Sequence, residues 1–131
     1  MARSFWQLTV REGFSSAHAL RNYQGKCENM HGHNYLAELV VEGDTLTKDT
    51  ELVADFTVLK KILREELAKL DHCFLNETPP FDTINPSAEN LARYIWKCVE
   101  PRLKEYPVKL YSVSVSEKPQ QTATYREISE E

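Results

Sequence analysis

The hydrophobic period of this chain changes twice, from two residues to between three and four and back to two, and that order restricts the fold more than any single residue does. Residues 5 to 18 alternate loosely through Phe5, Leu8, Val10 and Phe14, as a strand would. After the loop of residues 21 to 26, residues 31 to 42 read as a second strand. Tyr35, Ala37, Leu39 and Val41 share one parity there, and Leu36, Glu38, Val40 and Glu42 share the other. Gly43-Asp44 then signals a turn. The period lengthens from Phe56 to Leu70, where Leu59, Ile62, Leu63, Leu67 and Leu70 recur at helical spacing and Lys60, Lys61, Arg64 and Glu65 take the other side. Asn85-Pro86-Ser87-Ala88-Glu89 offers a cap, a proline and a first-turn acid for a second helix running to about Leu103. Its expected buried stripe is Leu91, Tyr94, Ile95, Cys98 and Val99. Alternation returns over residues 108 to 117, and residues 122 to 128 can close a last strand. The order ββααββ predicts one α+β domain spanning residues 1 to 131, a four-stranded antiparallel sheet with two helices on one face.

A chain of 131 residues can bury roughly two-thirds of its unfolded surface, so it folds without disulfide staples. Its three cysteines, Cys27, Cys73 and Cys98, are odd in number and widely spaced, and no apolar signal core precedes the first strand. The expectation is a reduced, cytoplasmic protein. No stretch reaches the roughly 18 apolar residues of a membrane span, and a net charge of -4 with interspersed signs leaves no broad basic face for nucleic acid. Neither a membrane nor a nucleic acid is the expected partner.

Three of the four histidines cluster: His18 ends the first strand, and His31 and His33 begin the second. Residues two apart on a strand project to the same face, so His31 and His33 point together. An antiparallel pairing can bring His18 beside them. Three neutral imidazoles leave a tetrahedral zinc ion one open position for water or a substrate oxygen, whereas a closed structural site needs a fourth protein ligand. Cys27 could be that ligand, or its thiol could stand near the cation and act as a thiolate base or nucleophile. A single His-x-His usually means no more than two polar residues on a strand; the third histidine and the cysteine change that weighting. Asp71-His72 at the first helix's end can work as an oriented acid-base pair, although a solvated helix terminus is the commoner meaning. Glu117, before Pro119, can grip a planar amidine-like edge with two hydrogen bonds, though most such glutamates only face solvent.

Taken in order, Phe14-Ser-Ser-Ala-His18, Cys27-x-x-x-His31-Gly32-His33-Asn34-Tyr35, Val53-Ala54-Asp55-Phe56, Leu70-Asp71-His72, Asn85-Pro86-Ser87-x-Glu89-Asn90 and Glu117 cover nearly the whole chain. This set resembles the 6-pyruvoyltetrahydropterin synthase and 6-carboxytetrahydropterin synthase superfamily. The resemblance implies a tunnelling fold whose subunits join into a barrel, commonly as trimers stacked into hexamers, with active sites between subunits. It also implies zinc held by His18, His31 and His33, a catalytic Cys27, a proton-relaying Asp71 and His72, and a catalytic, pterin-anchoring Glu117. The implied reaction is that of a lyase acting on 7,8-dihydroneopterin triphosphate, with substrate hydroxyls made more acidic by the zinc.

Within the superfamily the branches differ in the distance from the cysteine to His-Gly-His, and here three residues intervene. That spacing looks like the 6-carboxytetrahydropterin synthase branch of queuosine biosynthesis, which releases acetaldehyde with triphosphate. The pyruvoyl branch, usually with five, keeps all three side-chain carbons. A non-catalytic zinc and pterin-binding protein is the alternative from another class, and the retained Cys27, Asp71 and His72 argue against it. Ala19 stands where many relatives carry a basic residue, which leaves Arg21 or Lys26 as substitutes for phosphate contact, and Lys118-Pro119-Gln120-Gln121 replaces a turn that often has threonine. Cys73 and Cys98 read as packing residues.

Overall fold

In the computed structural model, which describes residues 1–129, the strands β1 (Trp6–His18), β2 (His31–Gly43), β3 (Lys109–Lys118) and β4 (Gln121–Tyr125) form one sheet in the order β1-β2-β3-β4. All three pairings are antiparallel. The helices α1 (Phe56–Leu67) and α2 (Ala88–Val99) lie between β2 and β3 in the chain, giving the expected ββααββ order. The predicted parity holds on the first part of β2, where Tyr35, Ala37 and Leu39 are buried while Leu36 is exposed and Glu38 half-buried, and it lapses at Val40, which is buried along with Val41. Helix α1 lies over β1, and α2 covers β3 and β4, so the core forms on one face of the sheet from Val10, Phe14, Leu39, Val113 and Val115 below and Leu59, Leu63, Leu91 and Ile95 above.

Local chemistry sets the helix ends. The Asp55 carboxylate accepts from the Thr57 amide at 2.8 Å and starts α1. The helix stops at Leu67, short of the expected Leu70, but the following turn keeps Leu70 fully buried. Ser87, rather than Asn85, caps α2, with Oγ accepting from the Asn90 amide at 3.2 Å. The α-helix ends at Val99 because Pro101 has no N–H to continue it, and residues Glu100–Leu103 tighten into a 3-10 turn. The stripe of α2 is also rotated from expectation: Ala92 and Trp96 are buried, while Tyr94 and Cys98 are only half-buried. Trp96 meets the Tyr125 ring edge-on at 5.6 Å, so the position of β4 decides which flank of the apolar arc turns inward. Strand β4 ends at Tyr125 rather than near Ile128, because Arg126 turns back to lay its guanidinium 3.9 Å over the Tyr111 ring and to donate from Nε to the Tyr111 carbonyl.

Two close approaches position the functional end. Gly43, where β2 turns away, is the only residue type that fits: a Cβ there would lie 2.5 Å from Val53 Cγ1 and 3.2 Å from the Pro107 carbonyl oxygen. At the other end of the sheet, the segment after α1 docks along the outer edge of β1. The His72 amide donates to the Ser15 carbonyl at 2.6 Å, and the Ala17 amide donates to the Cys73 carbonyl at 3.0 Å. That segment covers part of an edge that would otherwise expose unpaired backbone groups.

Candidate metal centre

The β1-β2 register sets His18 directly opposite His31 and Ser16 opposite His33, so the hairpin's sequence spacing becomes a cluster in space. His18 is almost fully buried, and His33 keeps about a fifth of its side chain exposed. The fourth member is Glu117. One nitrogen from each imidazole and one carboxylate oxygen all lie within 4.8 Å of one another. His18 Nε2 stands 3.2 Å from His31 Nε2 and 3.4 Å from Glu117 Oε2, and His33 Nε2 stands 3.0 Å from that same oxygen.

The outer nitrogens of two rings are already committed. His18 Nδ1 lies 2.8 Å from the Pro86 carbonyl and His31 Nδ1 lies 3.0 Å from the Asn29 carbonyl; because a carbonyl can only accept, both Nδ1 atoms carry the proton. In the neutral rings the two Nε2 lone pairs then face each other at 3.2 Å with no proton between them. That contact is repulsive unless a cation lies between, and donation of Nδ1–H to a carbonyl is the usual way a metal-binding imidazole is oriented. Nε2 of His33 is likewise buried without a hydrogen bond, since the nearby Glu117 oxygen is not aligned to receive one. Burial, together with the neighbouring His18 and His31 rings, holds His33 below its ordinary pKa against the opposing pull of Glu117. The neutral form is the one that binds a metal. These residues fit a divalent ion.

Asparagines fix the cluster from behind. Asn76 accepts from the Ala19 amide at 2.9 Å and donates to the Ala19 carbonyl at 2.7 Å, and Asn85 makes the same pair of bonds with Arg21 at 2.7 and 2.9 Å. The two side chains act as strand partners for the backbone just past His18. Arg21 itself donates to the Ile84, Asn76 and Phe81 carbonyls, which ties its guanidinium to the protein rather than leaving it free for phosphate. Below the cluster lies Tyr35, stacked on Phe14 with ring centroids 4.7 Å apart and set edge-on to His18 and His33. Its buried hydroxyl has no hydrogen-bond partner among the described residues, and burial together with the Glu117 charge pushes its pKa upward. A sequence carries no sign of the Pro86 carbonyl or of the Asn76 clasp. Asn85 did stand out, but as a helix cap.

The remaining expected residues lie apart from the cluster. Cys27 is exposed in the loop before β2 and is not among the clustered donors; Glu117 stands in their company instead. Asp71 and His72 form a pair with Oδ2 and Nδ1 2.9 Å apart. The other Asp71 oxygen accepts from the Ser15 amide at 2.8 Å, and this bond, with His72, holds the carboxyl below the ordinary carboxylate range. His72 has a left-handed backbone, φ 53°, and a largely exposed ring. It shares with His33 the lining of an open cleft of about 500 Å³. Cys73 lines the same cleft, half-buried, with Sγ donating to the Leu70 carbonyl at 3.2 Å.

A family model described as 6-pyruvoyl tetrahydropterin synthase matches residues 7–128. Among curated proteins, a 6-pyruvoyl tetrahydrobiopterin synthase of Dictyostelium discoideum is 37% identical over 91% of this chain and 94% of its own length. A 6-carboxy-5,6,7,8-tetrahydropterin synthase of a Synechocystis strain is 34% identical over 92% of each. The solved structure of Caenorhabditis elegans 6-pyruvoyl tetrahydropterin synthase superposes with a TM-score of 0.82 at 28% identity, covering 98% of this chain and 100% of that one. With its strand order, its imidazole cluster and the match along nearly its full length, the chain belongs to the 6-pyruvoyl tetrahydropterin synthase family.

Proposed function

We propose that the protein is a zinc-dependent lyase of the 6-carboxytetrahydropterin synthase type, converting 7,8-dihydroneopterin triphosphate and one water to 6-carboxy-5,6,7,8-tetrahydropterin with release of acetaldehyde and triphosphate. The observation that carries the reading is the set of three Nε2 atoms, two of them fixed as unprotonated donors by carbonyls behind them, in a chain of this family. His18, His31 and His33 hold the zinc, which supplies positive charge beside a substrate hydroxyl and makes its proton easier to remove. Cys27 moves protons at the side-chain carbons. His72 relays protons across the cleft it shares with His33, its ring held by Asp71, whose second oxygen is fixed by the Ser15 amide. Glu117 receives the guanidine-like edge of the pterin.

Assembly belongs to the same reading. Strands β1 and β4 are the two edges of the open sheet, and Cys27 and His72 are both exposed in the single subunit. A homo-oligomer, trimer or hexamer, joins such edges and closes the sites between neighbours. The carboxy product is favoured by the three residues between Cys27 and His31, and the queuosine pathway follows from that product. A second reading, elimination of triphosphate to a pyruvoyl pterin, is favoured by the naming of relatives. The Dictyostelium and Drosophila melanogaster proteins called 6-pyruvoyl tetrahydrobiopterin synthase are 37% and 38% identical to this chain. Mass analysis of products after incubation with dihydroneopterin triphosphate separates them. Acetaldehyde with a 6-carboxy pterin is expected; a pyruvoyl pterin overturns the first reading, and unchanged substrate overturns both.

A further inference from the structure

A buried hydroxyl sits where the His72 cleft meets the first strand. Val10, Phe14, Ser16 and His18 share one parity of β1 and are all buried, and Ser16 is 7% exposed. A hydroxyl in such a place is costly unless it is hydrogen-bonded. Ser16 Oγ finds its backbone partners on the segment that follows α1. Its single proton is shared between the Leu70 carbonyl at 2.5 Å and the Cys73 carbonyl at 2.8 Å, and the oxygen accepts from the Cys73 amide at 3.3 Å.

Those partners bracket His72. Leu70 lies two residues before it and Cys73 one after it, and between them the His72 backbone passes through the left-handed region at φ 53°. A residue with a Cβ holds that conformation only when its surroundings impose it. Three consecutive residues of β1 do so. Ser15 accepts from the His72 amide and donates its own amide to Asp71 Oδ1, and Ala17 donates its amide to the Cys73 carbonyl. Because the backbones of Ser15 and Ala17 face this segment, that of Ser16 faces β2, where it stands opposite His33, and the middle position contributes through its side chain. A second, weaker link between the two ends of the bend runs from Cys73 Sγ to the Leu70 carbonyl at 3.2 Å.

Resting on the lyase reading above, we infer that Ser16 is a positioning residue for His72. Its hydroxyl staples the start of the left-handed bend to the end of it, and so sets the direction in which the imidazole enters the cleft shared with His33. Asp71 then fixes the rotation of the ring. Ser16 forms part of the floor of that cleft, but its proton is committed to backbone carbonyls, so it acts through His72 rather than on a substrate.

The test compares Ser16→Ala, Ser16→Thr, His72→Ala and the double variant Ser16→Ala/His72→Ala, each as full-length, metal-loaded protein turning over dihydroneopterin triphosphate. Misplacement of a reacting group by 1 Å can cost about 10²-fold, so Ser16→Ala should lower kcat about 10- to 100-fold while KM and metal content stay at parent values. Ser16→Thr, which keeps the oxygen, should recover most of that rate. Ser16→Cys, which fills the same place with a weaker hydrogen-bonding group, should fall between the two and carries the test if Ser16→Ala does not fold. In the His72→Ala background Ser16→Ala should cost nothing further, because the group it acts through is gone. Hydrogen exchange gives a readout without turnover: the His72 amide should exchange about 10-fold faster in Ser16→Ala than in the parent. Unchanged kcat in Ser16→Ala, losses that multiply in the double variant, or loss of metal from Ser16→Ala each overturn the positioning role and leave the lyase reading standing. A parent protein that leaves the substrate unchanged overturns both.

Discussion

The protein holds two pairings of histidine with carboxylate, and they are built on opposite principles. Asp71 and His72 are neighbours in sequence, lie at the surface, and are locked by backbone: each Asp71 oxygen has its own partner, and the His72 amide is tied to Ser15. Glu117 meets His18 and His33 from almost the other end of the chain, in a half-buried place, through a residue that the sheet leaves unpaired. One pair has a fixed geometry and a ring free to reach a partner; the other brings donors together from three strands. A proton relay needs the first kind of construction, and a metal site needs the second.

Substitution of the histidines tests that division most forcefully. His18→Ala removes a buried donor whose Nδ1–H is already given to Pro86, and metal content measured by elemental analysis should fall below stoichiometric. Turnover should drop about 10³-fold or more, since the metal's charge stabilisation goes with it. His72→Ala should lower turnover by about 10²-fold or more, the usual share of a general acid or base, while the metal content stays at that of the parent. Loss of metal in His72→Ala, or its full retention in His18→Ala, removes the distinction between the two pairs.

The two pairs also differ in how far a sequence reveals them. Asp71-His72 could be read directly because adjacency and the helix end were both visible, and the strand parity that buries Tyr35, Ala37 and Leu39 was equally plain. The convergence of His18 with His31 and His33 followed once an antiparallel hairpin was assumed. Glu117 could be seen as a carboxylate at a strand end, but its place among the imidazoles depends on an irregularity of pairing, and one shifted residue reverses the face a side chain takes. The Pro86 carbonyl, which fixes the His18 tautomer, belongs to a backbone that every sequence has and was invisible for that reason. Rotation of the α2 stripe had a similar origin: Tyr94, Cys98, Ala92 and Trp96 are all compatible with an apolar arc, and only the location of β4 chooses among them.

A weaker perturbation separates scaffold from donor on the metal side. Asn76→Ala leaves the Ala19 amide and carbonyl without their side-chain partner directly beyond His18. Unmade bonds at such a site cost about 1–3 kcal/mol, so urea unfolding should show a drop of that size. Metal affinity by competition with a chelator should weaken as well, because His18 is no longer held, whereas the cleft side with His72 should be unaffected. A stability loss with unaltered metal affinity shows instead that the β1-β2 register alone positions the cluster.

The smallest expected effect concerns the relay pair and can be read from acid titration. Asp71 has its pKa lowered by the Ser15 amide and by His72, so the folded state stabilises its ionised form more than the unfolded state does. Its contribution to stability is therefore fully present above the unfolded carboxylate value near about 3.9, and it is lost as pH falls through the lower folded value. Asp71→Asn keeps an oxygen that can accept from Ser15 but has no charge to lose. The gap between parent and variant in urea midpoint should be present at about pH 5 and close as the pH is taken below about 4. Asp71 is only partly exposed, yet near enough to solvent that the gap should shrink when salt is added, as it does for a surface pair. A gap that persists unchanged down to the acid limit means that the carboxylate contributes shape rather than charge. In that event His72 is oriented by its own strained backbone and its amide bond to Ser15, and the surface pair is even more rigidly made than its hydrogen bonds suggest.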